Sequence, residues 1–301
     1  KTRGGASKRM KKIVCLGSLN LDHVYRLDHF VRPGETLGSE SYSVGCGGKG
    51  LNQSIALARA GAPVMHAGRI GHDGGILRSA LEAAGVDVSL LVEGDVPTGH
   101  AIIQVDAKGE NAIILYGGAN RRITEAEIDA ALDAVGDGIL LLQNEINSLG
   151  TILEKAHARG IRTAFNFAPF DPEDAKTLPL GLLSYLIVNE IEGAGVAGVA
   201  EPEAILRTLK ERYPGCRVIL TLGKAGAAFL GDDGVMVPVP PCPAEVVDTT
   251  SAGDTFIGYL FAGLLEGMEL KAAMELAGRA SAITVSRAGA ADSIPFRKEL
   301  R

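Results

Sequence analysis

Short apolar runs that end in polar residues recur along the chain and indicate buried parallel strands. KIVCLGSLN is the first, and GILLLQNE, IRTAFNF, YLIVNE and RVILTLG follow the same pattern. Segments with apolar residues at helical spacing lie between or beyond them, at 51–62, 73–86, 123–132, 148–160 and 252–266. This regular alternation predicts an α/β fold in which helices cover both faces of a mainly parallel sheet.

A second pattern sets two other regions apart from that alternation. TLGSESYSV (36–44) alternates small or apolar with polar residues, as a half-exposed strand does. TGHAIIQVD (98–106) and NAIILYGG (111–118) look similar, with AKGE between them as a hairpin turn. We therefore expect residues of about 22–46 and 97–118 to form a small separate sheet, which could act as a lid beside a cleft.

Polar side chains follow several of the buried strands. They are Asn20 with Asp22, Glu145, Asn166, and Asn189 with Glu192. In open α/β sheets, ligands bind outside the carboxyl ends of the strands. The pattern therefore predicts one polar cleft at that edge of the sheet.

Length and charge narrow the class of protein. The chain has 301 residues, of which 46% are apolar, and this suits one large α/β domain. Its first twelve residues contain six basic residues and no acidic one. We expect residues 1–9 to be a remnant of cloning ahead of a native start at Met10, with 10–301 as a single domain. Without those nine residues the net charge changes from −6 to −10, which argues against a nucleic-acid partner.

The cysteines and the hydropathy point to an ordinary intracellular protein. Cys15, Cys46, Cys216 and Cys242 are scattered, without the spacing of a zinc site. No apolar run approaches the roughly 18 residues that a membrane span needs. We expect reduced thiols, a cytoplasmic location and no membrane partner.

The glycine-rich stretch GCGGKGLNQ (45–53) allows several interpretations. Gly45, Gly47 and Gly50 match the string of a dinucleotide site, but that site requires a buried apolar strand before it, and SESYSV is polar. A P-loop requires Gly-Lys followed by Ser or Thr, whereas the Gly-Lys pairs here precede Gly50 and Ala225. The third interpretation is an uncharged ligand that needs many hydrogen bonds.

A second glycine-rich stretch, VVDTTSAGDTFIGYLFAGLL (246–265), runs from a strand end into an apolar helix. Helix N-termini present unpaired N–H groups and partial positive charge, and Ser251, Ala252 and Gly253 leave room for an anion to approach them. Asp254 either complements the helix dipole or takes a proton from an alcohol that attacks a phosphoryl group. The spacing alone leaves both roles open.

Together, DTTSAGDTF and GGKGLNQ resemble the signatures of the ribokinase-like (PfkB-type) carbohydrate kinases, and within that family most closely the ribokinases. GSLNLD, PGET, NEIE and TLGKAG extend the resemblance from about Lys12 to Arg297. It implies a three-layer αβα sandwich with a mainly parallel central sheet and a small β-sheet lid. It also implies ATP-dependent transfer of the γ-phosphate to the primary hydroxyl of a neutral sugar, first of all D-ribose, which would become ribose 5-phosphate.

The resemblance assigns catalytic and sugar-binding roles. Asp254 matches the family's catalytic base, and the N–H groups of Ser251, Ala252, Gly253 and Asp254 match its anion hole. The sugar would be held by Asn20, Asp22, Gly48, Lys49, Asn52 and Glu145, together with Asp254. Buried donors and acceptors of this kind reject a sugar that lacks one hydroxyl, because they would then stay unpaired.

The resemblance also assigns the nucleotide and cation sites. Asn189 and Glu192 match a motif that organises Mg²⁺ and phosphate, and Thr221 and Gly223, with Gly253, match positions near ATP. A K⁺ site would use Asp248, Thr250, Thr284, Arg287, Gly289 and Ser293, several of them through backbone carbonyls.

Departures from the family pattern leave the acceptor sugar open. Phe167 stands where ribokinases usually have proline, Ser251 stands where glycine is common, and His100 and Tyr116 are unusual for the lid. Tyr116 and Phe167 could narrow or reshape the pocket. The alternatives are a nucleoside kinase, a kinase of another neutral sugar such as fructose, or a non-catalytic sugar-binding regulator. A regulator would be expected to lose the base or the anion hole, and Asp254 and Gly253 are both present.

The lid also suggests assembly. Exposed edge strands favour pairing, and ribokinase-like proteins often dimerise lid to lid. We therefore expect a homodimer formed through the lid.

Overall fold

The computed structural model describes residues 11–300, in which the strands form two separate sheets. The strands are β1 (Ile13–Leu16), β2 (Asn20–Arg26), β3 (Ser41–Gly47), β4 (Val64–Ile70), β5 (Asp87–Glu93), β6 (Gly99–Val105), β7 (Asn111–Tyr116), β8 (Ile139–Gln143), β9 (Arg162–Asn166), β10 (Tyr185–Asn189), β11 (Arg217–Thr221), β12 (Ala227–Leu230) and β13 (Met236–Val239). The helices are α1 (Lys49–Arg59), α2 (Gly75–Ala83), α3 (Glu125–Val135), α4 (Leu149–Ala158), α5 (Pro172–Thr177), α6 (Glu190–Ala197), α7 (Pro202–Arg212), α8 (Ala252–Glu266) and α9 (Leu270–Val285). Residues 1–9, expected to be a cloning remnant, lie outside the described range.

The large sheet has the strand order β13-β12-β11-β10-β9-β8-β1-β4-β5. All neighbours from β11 to β5 run parallel, and Ile13 of β1 pairs with Ile139 of β8 on one side and Val64 of β4 on the other. The predicted α/β fold with a mainly parallel sheet is therefore confirmed.

Two apolar cores lie on the two faces of this sheet, because successive strand residues point to opposite faces. Ile13 and Cys15 pack into one core with residues of α1, α8 and α9, and Val14 and Leu16 pack into the other with residues of α3, α4 and α7. The helices therefore form a layer on each side, as the three-layer sandwich requires.

The second sheet has the order β3-β2-β6-β7, and we call it the lid sheet. It confirms the small separate sheet predicted from the alternating segments. Its strand β3 begins at Ser41 rather than at residue 36, because its partner β2 ends at Arg26, which pairs with Ser41. Residues 36–40 thus lie beyond the end of the partner strand.

An antiparallel hairpin at one edge of the large sheet was not predicted. Strands β12 and β13 contain four residues each, and β12 pairs antiparallel with β11. Strands this short carry too few alternations to give a clear pattern. Within residues 11–300, no helix is both long and apolar enough to cross a lipid bilayer.

Candidate active site

The N-terminus of α1 lies against the turn that joins β1 to β2. Gly48, the N-cap of α1, has a φ of 96°, and a Cβ atom there would lie 2.9 Å from the backbone nitrogen of Asn20. Only glycine suits this combination of positive φ and close approach. Gly48 therefore allows the start of α1, with Lys49, to approach Asn20 of β2.

Asn20 and Asp22 project from the lid strand β2 at the side of this turn. The Asn20 side-chain oxygen accepts a hydrogen bond from Asn120 Nδ2 at 2.8 Å. Asp22 lies beside Gly47, where any Cβ atom would overlap the carboxylate. Burial and, secondarily, the negative charge of Glu145 raise the pKa of Asp22 to about 6.

Glu145 follows β8 and is held by groups from two other parts of the chain. Its Oε2 atom accepts a hydrogen bond from the backbone N–H of Lys49 at 3.0 Å and another from the Ser18 hydroxyl. These contacts fix the carboxylate next to the α1 N-terminus. The structure thus brings Asp22 and Glu145 together, as the sequence predicts.

The Lys49 side chain is partly buried and lies among negative charges. Burial acts to lower its pKa, but the carboxylates of Asp254, Glu145 and Glu192 outweigh that effect, so the pKa lies above its usual value. Lys49 therefore carries a positive charge between the carboxylates of Glu145 and Glu192. A buried charge of this kind requires oppositely charged partners.

Asp254 lies in the first turn of α8 with both carboxylate oxygens engaged. Asn52 Nδ2 donates to Oδ2 at 3.2 Å, and Gln53 Nε2 donates to Oδ1 at 2.9 Å. The Asn52 side-chain oxygen is itself buried and has no hydrogen-bond partner among the described residues. It is therefore available to a donor on a ligand, such as a sugar hydroxyl.

The N-terminus of α8 presents free backbone donors beside this carboxylate. Ser251, the N-cap, is left-handed with a φ of 60°, and the N–H of Ala252 donates to Thr249 O at 3.2 Å. Within residues 11–300, no backbone carbonyl accepts from the N–H of Gly253 or Asp254. Three of the four N–H groups assigned to an anion hole, those of Ser251, Gly253 and Asp254, have no acceptor among the described residues, and the one on Ala252 is occupied.

A cavity of about 210 Å³ connects this helix end with strands β10 and β11. It is lined by these residues of the predicted site: Lys49, Asn189, Glu192, Thr221, Ser251, Gly253 and Asp254. Gly223 begins the turn that follows Thr221 and does not line the cavity. The predicted catalytic and nucleotide residues therefore share one cavity, apart from Ala252 and Gly223.

Asn189 and Glu192 also form a reciprocal capping box at the start of α6. The Asn189 side chain accepts from the Glu192 N–H at 2.9 Å, and the Glu192 carboxylate accepts from the Asn189 N–H at 2.8 Å. Burial raises the pKa of Glu192 above its ordinary value. The motif that the resemblance assigns to Mg²⁺ and phosphate is therefore also a structural cap.

The residues assigned to K⁺ lie on the loop before α8, at the end of α9 and in the segment that follows α9. Asp248 accepts hydrogen bonds from the N–H groups of Thr250 and Gly289, at 2.8 and 3.0 Å. The Thr284 hydroxyl is buried and donates to Thr255, so Thr284 could reach an ion only through its carbonyl. Residues 11–300 contain no cluster of three or more His, Cys, Asp or Glu side chains suited to a metal. The donor set is one carboxylate with backbone carbonyls.

The remaining K⁺ candidates are engaged elsewhere through their side chains. Arg287 forms an ion pair with Glu299 at 2.7 Å, and the Ser293 hydroxyl donates to Ala290 O at 2.7 Å in its own turn. Arg287 and Ser293 could therefore contact K⁺ only through their backbone carbonyls, as the resemblance implies for several of these positions.

Three of the unusual residues, His100, Tyr116 and Phe167, lie away from the side chains predicted to bind the sugar, whereas Ser251 lines the cavity. In the lid sheet, Asp22 of β2 pairs with Ala101 of β6. His100 precedes Ala101 and pairs with Tyr116 of β7, so the side chains of His100 and Tyr116 lie on the face opposite to that of Asp22. His100 packs against the Tyr116 ring there, with ring centroids 5.0 Å apart. Phe167 is fully buried in the apolar core. The expectation that Tyr116 and Phe167 could reshape the pocket is not supported by these positions.

Three polar residues of the site were not assigned from the sequence. Ser18 holds Glu145, Asn120 holds Asn20, and Gln53 holds Asp254. Ser18 and Gln53 lie inside the quoted motifs GSLNLD and GGKGLNQ, so their position was the available signal. Their partners, Glu145 and Asp254, lie 127 and 201 residues further along the chain, and the motifs alone do not identify them.

Comparison with known proteins gives consistent matches over nearly the whole chain. The ribokinase of Schizosaccharomyces pombe is 37% identical over 311 residues, covering 97% of both chains. A bifunctional ribokinase/ribose-5-phosphate isomerase A from Fructilactobacillus sanfranciscensis is 36% identical over 97% of this chain, which spans only 56% of that longer protein. The structure of Arabidopsis thaliana ribokinase complexed with ribose and ATP is similar, with a TM-score of 0.85, 28% identity, and coverage of 96% of this chain and 97% of that one.

The family model described as pfkB family carbohydrate kinase matches residues 10–297. That range contains both glycine-rich motifs, the lid sheet and every residue of the candidate site. This chain therefore belongs to the pfkB family of carbohydrate kinases.

Proposed function

We propose that this chain is an ATP-dependent ribose kinase, which transfers the γ-phosphate of ATP to the primary hydroxyl of D-ribose and yields ribose 5-phosphate and ADP. The observation that carries the proposal is the position of Asp254. Its buried carboxylate accepts a hydrogen bond from Asn52, which is predicted to bind the sugar. It also lines the cavity that contains Asn189 and Glu192. The similar ribokinases support ribose as the acceptor.

In the proposed mechanism, Asp254 accepts the proton of the primary hydroxyl while the hydroxyl oxygen attacks the γ-phosphorus. The bond from that phosphorus to the β–γ bridging oxygen breaks, and ADP leaves. The free N–H groups of Gly253 and Asp254 donate to the oxygens of the transferring group, where negative charge accumulates. Lys49 adds a positive charge at the same cavity.

The hydroxyls of ribose match the polar groups on the sugar side. Carboxylates at Asp22 and Glu145 accept hydrogen bonds, and Asn20 and Asn52 can both donate and accept. The unpaired Asn52 oxygen supports this assignment, because a buried acceptor without a partner is costly and a sugar hydroxyl would satisfy it. Two carboxylates also disfavour acidic sugars.

Magnesium and potassium belong to the proposal as well. Glu192 and Asn189 line the cavity and would hold Mg²⁺, largely through water, and the ion would neutralise charge on the phosphates. Asp248, with the carbonyls of the adjacent loops, would hold K⁺, because hard oxygen donors and a single carboxylate suit a monovalent cation. Asp248 accepts only two hydrogen bonds and keeps lone pairs for an ion.

The proposal also includes a cytoplasmic location and a homodimer. The four cysteines are unpaired, as in proteins of reducing compartments, which supports a cytoplasmic location. The outer strand of the lid sheet exposes apolar residues, which supports a homodimer formed through the lid.

The test of the function is a coupled assay of ATP consumption with ribose, deoxyribose, fructose and nucleosides, each with and without K⁺. We expect fastest turnover with ribose and stimulation by K⁺. Faster turnover with a nucleoside or with fructose would reject ribose as the acceptor. A rate that K⁺ does not change would reject the cation site.

The role of Asp254 is tested with Asp254→Asn. We expect turnover to fall about 10²- to 10⁴-fold, since a positioned general base contributes that much. Glu125→Gln is the matched control, because Glu125 also lies in the first turn of a helix but far from the cavity. If the two variants lose equal activity, Asp254 only complements the helix dipole and the assigned mechanism is wrong.

A further inference from the structure

A chain of buried amide side chains lies behind the Asp254 carboxylate. Gln53 Nε2 donates to Asp254 Oδ1 at 2.9 Å and also to Asn166 Oδ1 at 3.2 Å. Gln143 Nε2, in turn, donates to Gln53 Oε1 at 2.7 Å. Gln53 and Gln143 are fully buried, and neither lines the cavity.

The chemistry of the partners fixes the direction of this chain. An ionised carboxylate only accepts hydrogen bonds, so the NH₂ group of Gln53 has to face Asp254. The Gln53 oxygen then faces Gln143, whose NH₂ group has to face it in return. If the Gln53 amide were reversed, its oxygen would oppose the carboxylate and its NH₂ group would oppose that of Gln143. Both amides therefore direct their donor ends towards Asp254.

The arrangement carries a cost that packing alone would not require. The Gln143 side-chain oxygen, at the far end of the chain, is buried and unpaired among the described residues. A buried polar atom without a partner is unfavourable by about 1–3 kcal/mol. Two apolar side chains of similar length would fill the same space between α1, β8 and α8 without that cost.

We propose that Gln53 is a positioning residue for the phosphoryl transfer, which holds the Asp254 carboxylate in its reactive orientation, with Gln143 acting through Gln53. Asn52, the residue before Gln53 in α1, donates a hydrogen bond to the other carboxylate oxygen of Asp254, Oδ2. The two amides therefore fix the plane of the Asp254 carboxylate between them. This inference rests on the proposed role of Asp254 as the base.

The main test uses Gln53→Met, which keeps the length and volume of the side chain but removes its donor. The rate of phosphoryl transfer is measured in single turnovers, with whichever acceptor the unaltered enzyme phosphorylates fastest. We expect the rate to fall about 100-fold, the usual effect of a small displacement of a catalytic group. The KM values for acceptor and ATP should stay within about threefold, because Gln53 does not line the cavity.

A double-variant cycle separates positioning from structure. We expect Gln143→Met to lower the rate about tenfold and the double variant Gln53→Met/Gln143→Met to be no slower than Gln53→Met within about threefold, because Gln143 acts through Gln53. Gln53→Glu keeps the acceptor for Gln143 but loses the donor to Asp254, and it should be at least as slow as Gln53→Met. It also provides the test if Gln53→Met does not fold.

Ser54→Ala is the matched control, because Ser54 is the next residue of α1, is fully buried and loses a hydrogen bond to His66. It should keep the full rate. The proposal is overturned if Gln53→Met keeps its rate, if its KM values rise as strongly as its rate falls, or if the losses of the two single variants multiply. If Asp254→Asn also keeps its rate, the proposed mechanism fails with it; if Asp254→Asn is inactive, only the positioning role fails.

Discussion

Asp22 is the residue whose environment predicts a pH dependence of substrate binding. Its pKa is raised to about 6 by burial and then by Glu145. Sugar hydroxyls donate to the ionised carboxylate, so protonation weakens binding, and the effect appears as the pH falls through about 6. We expect the KM for ribose to rise about tenfold from pH 7 to pH 5, the change in the ionised fraction of a group with that pKa.

The measurement is a series of KM values for ribose and ATP at fixed ionic strength over that pH range. Asp22→Asn should raise the KM for ribose at pH 7 and remove most of its pH dependence, while the KM for ATP stays nearly constant. A KM for ribose that is equal at pH 5 and pH 7 in the unaltered enzyme would contradict the assigned role of Asp22.

At the same scale, the sequence predicts residue types better than it predicts their partners. Asp254 and Asn52 stand out because they follow glycine-rich stretches, and the structure joins them by a hydrogen bond. Gln53 lies in the same motif, yet nothing local distinguishes it from a buried helix residue. Its role depends on Asp254 and Gln143, which reach it only through the packing of α1 between α8 and β8.

At the scale of elements, two helices begin with the same reciprocal cap but in different surroundings. Thr124 and Glu127 cap α3 away from the cavity, and Asn189 and Glu192 cap α6 on its lining. We expect Thr124→Ala and Asn189→Ala to lower the free energy of unfolding by about 1 kcal/mol each, the usual cost of a lost N-cap. Only Asn189→Ala should also lower turnover or raise the KM for ATP.

Urea unfolding and steady-state kinetics on both variants make this comparison. Thr124→Ala serves as the control for the loss of a cap alone. If Thr124→Ala impairs turnover as strongly as Asn189→Ala, the activity effect comes from general destabilisation, and Asn189 has no separate role at the nucleotide.

Most of the predicted elements lie where they were expected, but β5, α6, α7 and the edge hairpin were not predicted. Helix α8 covers residues 252–266 as expected, and the Thr124 capping box is present. Strands β12 and β13 were missed, because four residues give little periodicity and their pairing is set by the neighbouring β11. Tertiary contacts rather than local preference define such strands.

At the scale of the whole molecule, the lid sheet has an edge that favours assembly. Strand β7 pairs only with β6 among the described strands, and its Ile113, Ile114, Leu115 and Tyr116 are exposed. An exposed apolar edge strand is a template for pairing with another chain. We therefore predict that this edge or the adjoining face meets a second copy of the chain.

The prediction is tested by light scattering coupled to size-exclusion chromatography at micromolar concentration. The unaltered protein should have twice the mass of one chain, and Ile114→Lys should shift it towards one chain, because Ile114 is 61% exposed and a buried charge would oppose pairing. Val235→Lys is the control, since Val235 is similarly exposed, at 57%, but lies outside the lid sheet. A monomeric unaltered protein, or equal dissociation of both variants, would contradict a dimer through the lid.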